Sequence, residues 1–225
     1  MKNPVIFVGC YGSGKTEWSI NYAVHFLSLG RKVRLFDLDV VNPYFTVREY
    51  REDIARRGVE VISLPKEMMY ADIPIFNPLT VALVGDTSHL NVVDVGGEPK
   101  GAKVLAQIKG SVVNGEYEMF MVVNTRRPFT EDVDSVLSLY EEIERASGLQ
   151  ITGIINNTNI GEFTDLEVVE EGQVVLSEVS RVTGVPLVYI GVMDGSLQRE
   201  LKEAYPDVDV WLLKQFVDRC WKGGV

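Results

Sequence analysis

Gly9-Cys10-Tyr11-Gly12-Ser13-Gly14-Lys15-Thr16 satisfies the pattern G-x-x-x-x-G-K-[ST]. It stands between an apolar run, Val5-Ile6-Phe7-Val8, and an amphipathic stretch, Lys15–Leu29. A buried strand feeding a glycine-rich loop that opens into a helix is a cradle for phosphate. The glycines let the backbone curl so that successive N–H groups face one anion, and the helix dipole adds positive potential. In such a loop Lys15 reaches the β- and γ-phosphate oxygens and the Thr16 hydroxyl binds Mg²⁺. Gly9, Gly12, Ser13, Gly14, Lys15, Thr16 and Glu17 are therefore the candidate phosphate-binding residues, with Lys15 also a candidate for catalysis.

Outward from this loop, apolar runs recur with helical stretches between most of them. The pattern predicts strands at Pro4–Val8, Lys32–Phe36, Gly58–Ile62, Leu90–Val95, Met119–Val123, Ile151–Ile155 and Pro186–Ile190. Helices are expected over Lys15–Leu29, Val47–Arg57, Gly101–Ile108, Glu131–Ser147, Asp165–Thr183 and Asp209–Trp221. Runs such as Phe120-Met121-Val122-Val123 show no polar alternation, which fits strands covered on both faces. The expectation is an α/β fold: three layers, α/β/α, doubly wound around a mostly parallel sheet. With no repeat, low-complexity tract or flexible linker, residues 1–225 read as a single domain. Pro65–Ser88, with Pro65, Pro74 and Pro78, reads as a connecting segment packed on the sheet edge, with an irregular lid or a partner surface as the alternatives.

Composition sets the class. Hydrophobic residues make up 46% and charged residues 24%, which is ordinary for a globular chain. The charge is −10, from 22 Lys+Arg against 32 Asp+Glu, so broad binding to nucleic-acid backbones is disfavoured. Two cysteines and two histidines offer no zinc spacing and point to a reducing, cytoplasmic setting. No run is long enough for a membrane span.

Ligands in open α/β sheets sit beyond the carboxyl ends of the strands. There, Leu35-Phe36-Asp37-Leu38-Asp39 and Asn91-Val92-Val93-Asp94-Val95-Gly96-Gly97 place three carboxylates and a glycine pair. Asp94 reads as the acid that holds Mg²⁺, and Gly97 can offer its N–H to the γ-phosphate. After the sixth strand comes Asn156-Asn157-Thr158-Asn159. An Asn amide can pair with the adenine edge, so Asn156 or Asn157 is a candidate base contact that favours ATP, with GTP the alternative.

The order phosphate loop, D-x-D, then D-x-G-G resembles the signal-recognition-particle/MinD/ParA class of P-loop NTPases. Asp37-Leu38-Asp39-Val40-Val41-Asn42-Pro43 is similar to the switch I of MinD-like ATPases. The resemblance implies Asp37 near Mg²⁺, Asp39 orienting the attacking water, and a switch II around Asp94–Gly97. Metal ligands would then be Thr16, Asp37 and Asp94, and the catalytic residues Lys15, Asp39 and Asp94. MinD- and ParA-type proteins carry a lysine right after the first loop glycine, where this chain has Cys10. Arg126 and Arg127 after the fifth strand can supply compensating charge. The expected function is a slow Mg²⁺-dependent ATPase acting as a switch, with a protein client and a homodimer among its partners. A small-molecule kinase, an ATP-dependent ligase of the dethiobiotin synthetase or cobyrinate amidase kind, and a GTPase are the alternatives.

Overall fold

Continuous apolar strands with helical crossovers leave one economical solution, a parallel sheet buried under helices on both faces. The structure, a computed structural model, describes residues 2–38, 50–63, 78–97, 99–112 and 116–217. Its strands are β1 (Val5–Val8), β2 (Val33–Leu38), β3 (Glu60–Ser63), β4 (Leu90–Val95), β5 (Glu118–Val123), β6 (Gly153–Asn156), β7 (Leu187–Val192) and β8 (Asp209–Leu212). They form one sheet in the order β3-β2-β4-β1-β5-β6-β7-β8, and every pairing is parallel. The helices are α1 (Lys15–Ser28), α2 (Arg51–Arg56), α3 (Pro78–Val84), α4 (Pro99–Ile108), α5 (Val133–Ser147), α6 (Leu166–Thr183) and α7 (Gly195–Ala204).

Alternate residues of each strand serve opposite layers. Val5, Phe7, Leu35, Val92 and Val122 pack against Trp18, Ile20 and Ala23 of α1 and Ile54 of α2. Ile6, Val8, Phe36, Val93 and Met121 pack against Leu105 of α4, Val136 of α5 and Leu176 of α6. The expected three-layer α/β/α arrangement is the observed one. Because β1 lies between β4 and β5, its loop opens where the strand order reverses, the crevice in which such sheets bind ligands.

Helix ends follow their residues. Asp132 accepts from Ser135 N, Asp165 from Val168 N, and Asp194 from Ser196 N and Leu197 N, while Gly148 and Gly184 close α5 and α6. The Ser135 N–H holds the Asp132 carboxyl below its ordinary value of 3.8. The Ser196 hydroxyl, with N–H groups behind it, does the same for Asp194. A depressed carboxyl stabilises the fold above its ordinary value and loses that contribution as pH falls through the folded one. Thermal melts from pH 6 to about pH 3 are therefore expected to show a shallower fall in Tm for Asp132→Asn and Asp194→Asn than for the parent chain.

Three elements differ from expectation. β2 runs on to Leu38, which draws Asp37 into the sheet. The stretch expected as a helix over Asp209–Trp221 begins instead as β8, for Val208 and Val210 alternate with Asp207 and Asp209 at strand period. Trp211, within that expected helix, stacks on Tyr22 with ring centroids 5.6 Å apart and lies 5.5 Å from Trp18. Helix α7 was not expected, since only Leu197 and Leu201 are buried along it. Within Pro65–Ser88 the described part contains α3. Among the described residues no helix is long and apolar enough to cross a membrane.

Candidate functional site

The loop leaves β1 hard against its neighbour. A Cβ on Gly9 would lie 2.3 Å from the Val122 carbonyl of β5, at a φ of 143° that side chains rarely adopt. Gly14, in the left-handed region at the N-cap of α1, is likewise closed to a side chain, because a Cβ would lie 2.3 Å from Asn157 Nδ2. Between them Ser13 N donates to Cys10 O at 3.3 Å. Lys15, only 6% exposed as a residue, donates from its ammonium to the same carbonyl at 2.8 Å, so it spans the mouth of the cradle. Cys10 itself is buried, its sulfur 3.8 Å from the Thr130 hydroxyl.

The carboxylates come together at the carboxyl ends of two adjacent strands. Thr16 Oγ1 donates to Asp94 Oδ2 at 2.8 Å. Asp37 is the register partner of Asp94, so both side chains leave the sheet on the face that carries α1, with Cα atoms about 4.8 Å apart. Both are buried, at 0% and 1% exposure. Gly97 closes over the loop: a Cβ there would lie 2.7 Å from Tyr11 N and 3.0 Å from Lys15 Nζ. Among the described residues no three His, Cys, Asp or Glu side chains gather to hold a metal. A hydroxyl and two carboxylates are nevertheless the donor set of a hard cation that keeps part of its water shell, as Mg²⁺ does. Asp39 lies outside the described residues.

Three expected contacts are placed elsewhere. The Asn156 amide donates to Val169 O at 3.1 Å and Gln173 Oε1 at 3.0 Å, while its oxygen accepts from Thr158 N. Both donors are spent inside the protein, because Asn156 is the last residue of β6 and fully buried. Asn157 is a strut of the loop. Its Nδ2 donates to Ser13 O at 2.7 Å and its Oδ1 accepts from Trp18 Nε1 at 3.1 Å. Both amides are engaged within the protein. The Glu17 carboxylate accepts from Phe216 N and Val217 N, and Asn21 pairs with the Lys214 backbone at 2.8 Å in both directions. Those bonds fasten the segment after β8 along α1, so Glu17 can meet a phosphate only through its backbone N–H.

The strut was legible only as a run of asparagines, since no residue spacing shows which amide faces Ser13. Asn157→Ala is expected to cost about 2–6 kcal/mol, because the buried Ser13 carbonyl and Trp18 indole both lose a partner at about 1–3 kcal/mol each. Denaturant melts measure it, and an unchanged midpoint would remove Asn157 from the support of the loop.

The sequence matches no family model and no curated protein. Solved structures do resemble the fold. Cell division protein FtsY from Thermotoga maritima is similar with a TM-score of 0.61 and 20% identity, over 85% of this chain and 62% of that one. The signal recognition particle receptor FtsY from Elizabethkingia anophelis, in complex with GDP, matches equally over 85% of this chain and 57% of its own. The 54 kDa signal recognition particle protein from Aeropyrum pernix K1, also in complex with GDP, has a TM-score of 0.57 and 20% identity, over 84% of this chain and 41% of its own. The chain thus spans from about two fifths to about three fifths of these structures. At this identity the likeness is one of fold alone.

Proposed function

We propose that this chain is a Mg²⁺-dependent nucleoside triphosphatase that works as a nucleotide-dependent switch. The observation that carries it is the bond from Thr16 to Asp94 beneath the phosphate loop, with Asp37 in register beside it. The backbone N–H groups of residues 12–16 and the Lys15 ammonium hold the β- and γ-phosphates, and Gly97 offers its N–H to the γ end. Thr16, Asp94 and Asp37 would hold Mg²⁺, which when bound would neutralise phosphate charge. Water attacks the γ-phosphorus as its bond to the β,γ-bridging oxygen breaks. The nucleoside diphosphate and inorganic phosphate leave, and the water's proton goes with the products. By the family resemblance, Asp39 orients that water. Loss of the γ-phosphate releases Gly97 and so changes the segment Asp94–Lys100, with Asp37–Tyr44 the second segment to respond.

With the amides of Asn156 and Asn157 engaged within the protein, adenine loses the carrier first read for it. GDP in two structures of the same fold weighs toward guanine. Phosphate release from ATP and GTP, with and without Mg²⁺, and size measured with each nucleotide, test the reading. Turnover that needs Mg²⁺ and a nucleotide-dependent change of size or partner supports it. Absence of both binding and turnover overturns it.

One feature favours a second reading, an acceptor-dependent phosphotransferase or ligase. A cleft of about 690 Å³ opens beside the first half of the loop, between Cys10, Tyr11 and Gly97 on one wall and Ser135, Ser138 and Glu142 of α5 on the other. That is room for an acceptor at the γ-phosphate end. Turnover stimulated by a small molecule, with phosphate appearing on it, would decide for this reading.

A further inference from the structure

Two arginines follow β5, and the fold gives them different surroundings. Arg126 forms an ion pair with Glu171 of α6, so its charge is already met. Arg127 forms no ion pair and no side-chain hydrogen bond among the described residues. Its side chain lies across the phosphate loop: a Cβ on Gly12 would stand 3.3 Å from Arg127 Nε and 3.5 Å from its Cδ. Gly12, at a φ of 75°, is the residue whose missing side chain makes this approach possible.

The backbone beneath Arg127 is held in place. Arg127 N donates to Asn124 O at 3.1 Å, and Thr130 N returns a bond to Arg127 O at 3.2 Å. The buried Thr130 hydroxyl donates to Asn124 O at 2.8 Å and lies 3.8 Å from the Cys10 sulfur. Asn124, fully buried, accepts from Arg126 N and donates to Asn159 O. The loop 124–130 is thus tied both to itself and to the phosphate loop, because β5 is the immediate neighbour of β1. A guanidinium with no acidic partner on a cradle built for anions is in reach of one kind of ligand, a polyphosphate oxygen.

We propose that Arg127 contacts the β,γ end of the bound triphosphate and stabilises the charge that gathers there during transfer. The inference deepens the nucleotide reading and rests on it. Arg127 supplies, from within the same chain, a cation that Cys10 does not. Arg126 does not share the role.

The test compares Arg127→Ala, Arg127→Lys and Arg126→Ala with the parent chain and with Lys15→Ala, measuring kcat, KM and affinity for triphosphate and diphosphate. Arg127→Ala is expected to lower kcat roughly 100-fold with a smaller change in KM, as for loss of a donor to developing charge. Added guanidinium should restore part of that rate, and Arg127→Lys should recover part of it. Arg126→Ala should stay within about twofold of the parent, and the melting temperatures should agree. If the parent binds nucleotide without turnover, the readout is affinity. A roughly tenfold weaker hold on the non-hydrolysable triphosphate in Arg127→Ala then supports the role. Equal behaviour of Arg126→Ala and Arg127→Ala, with Lys15→Ala impaired, overturns the inference and leaves the nucleotide site standing. A parent chain that binds no nucleotide ends both.

Discussion

Lys15→Ala is expected to weaken affinity for nucleoside triphosphate at least about 100-fold while leaving the fold intact. The ammonium is buried at the mouth of the loop and donates to Cys10 O at 2.8 Å. It also sits in the first turn of α1, where the helix dipole is positive and a cation is unfavourable by about 0.3–1 kcal/mol. Alanine is moreover the better helix former. On the proposed reading the ligands of Lys15 are the β- and γ-phosphate oxygens. Charge-assisted hydrogen bonds contribute about 1.5–3 kcal/mol each, so losing two costs about 3–6 kcal/mol, or a factor of at least about 100 in affinity. Isothermal titration with ATP and GTP measures that factor, and thermal melts supply the control. Saturating nucleotide at about 100 times the parent's Kd should stabilise the parent by about 2.7 kcal/mol and the variant by no more than about 0.4 kcal/mol. A variant that gains as much stability from nucleotide as the parent would show that Lys15 does not hold the phosphates.

The phosphate loop was legible because its requirements are written in consecutive residues: a buried strand, glycines at Gly9 and Gly14, and a lysine and threonine opening a helix. Asp94 was legible for the same reason, as the carboxylate ending an apolar run. What could not be read depends on partners distant in sequence. Asn156 and Asn157 are adjacent and chemically identical, yet one closes a hydrogen-bond network with Gln173 and the other props Ser13. Glu17 follows the motif directly but turns to residues 216 and 217, a contact set by where β8 ends. The last elements were misread because four or five residues satisfy both periods. Val208 and Val210 alternate as a strand does, while Trp211 and Phe216 fall within the stretch expected as a helix. The sheet edge decided between them, through the aromatic packing of Trp211 on Tyr22.

Asp94→Asn separates a metal-holding role from a structural one by the sign of its effect on stability. The amide keeps an oxygen for the Thr16 hydroxyl, which now lies 2.8 Å from Asp94 Oδ2, so the loop and β4 lose little. Asp37 stands in register on the next strand, and two like charges so placed repel. Without ligand, the substitution removes one of them and should raise stability by about 0.2–1 kcal/mol. With Mg²⁺ and nucleotide bound the order reverses, because a carboxylate that neutralises a divalent cation is worth more there than an amide. Turnover at saturating Mg²⁺ should fall about 100- to 1,000-fold, several kcal/mol of lost charge stabilisation, and half-saturation should move to higher Mg²⁺. Nucleotide affinity measured without Mg²⁺ should change less than about threefold, since Lys15 and the loop N–H groups carry it. Paired melts of parent and variant, with and without Mg²⁺-nucleotide, read the reversal directly. If the variant is less stable in both states and hydrolyses as fast as the parent, Asp94 serves Thr16 and the sheet, and the metal is held by other residues.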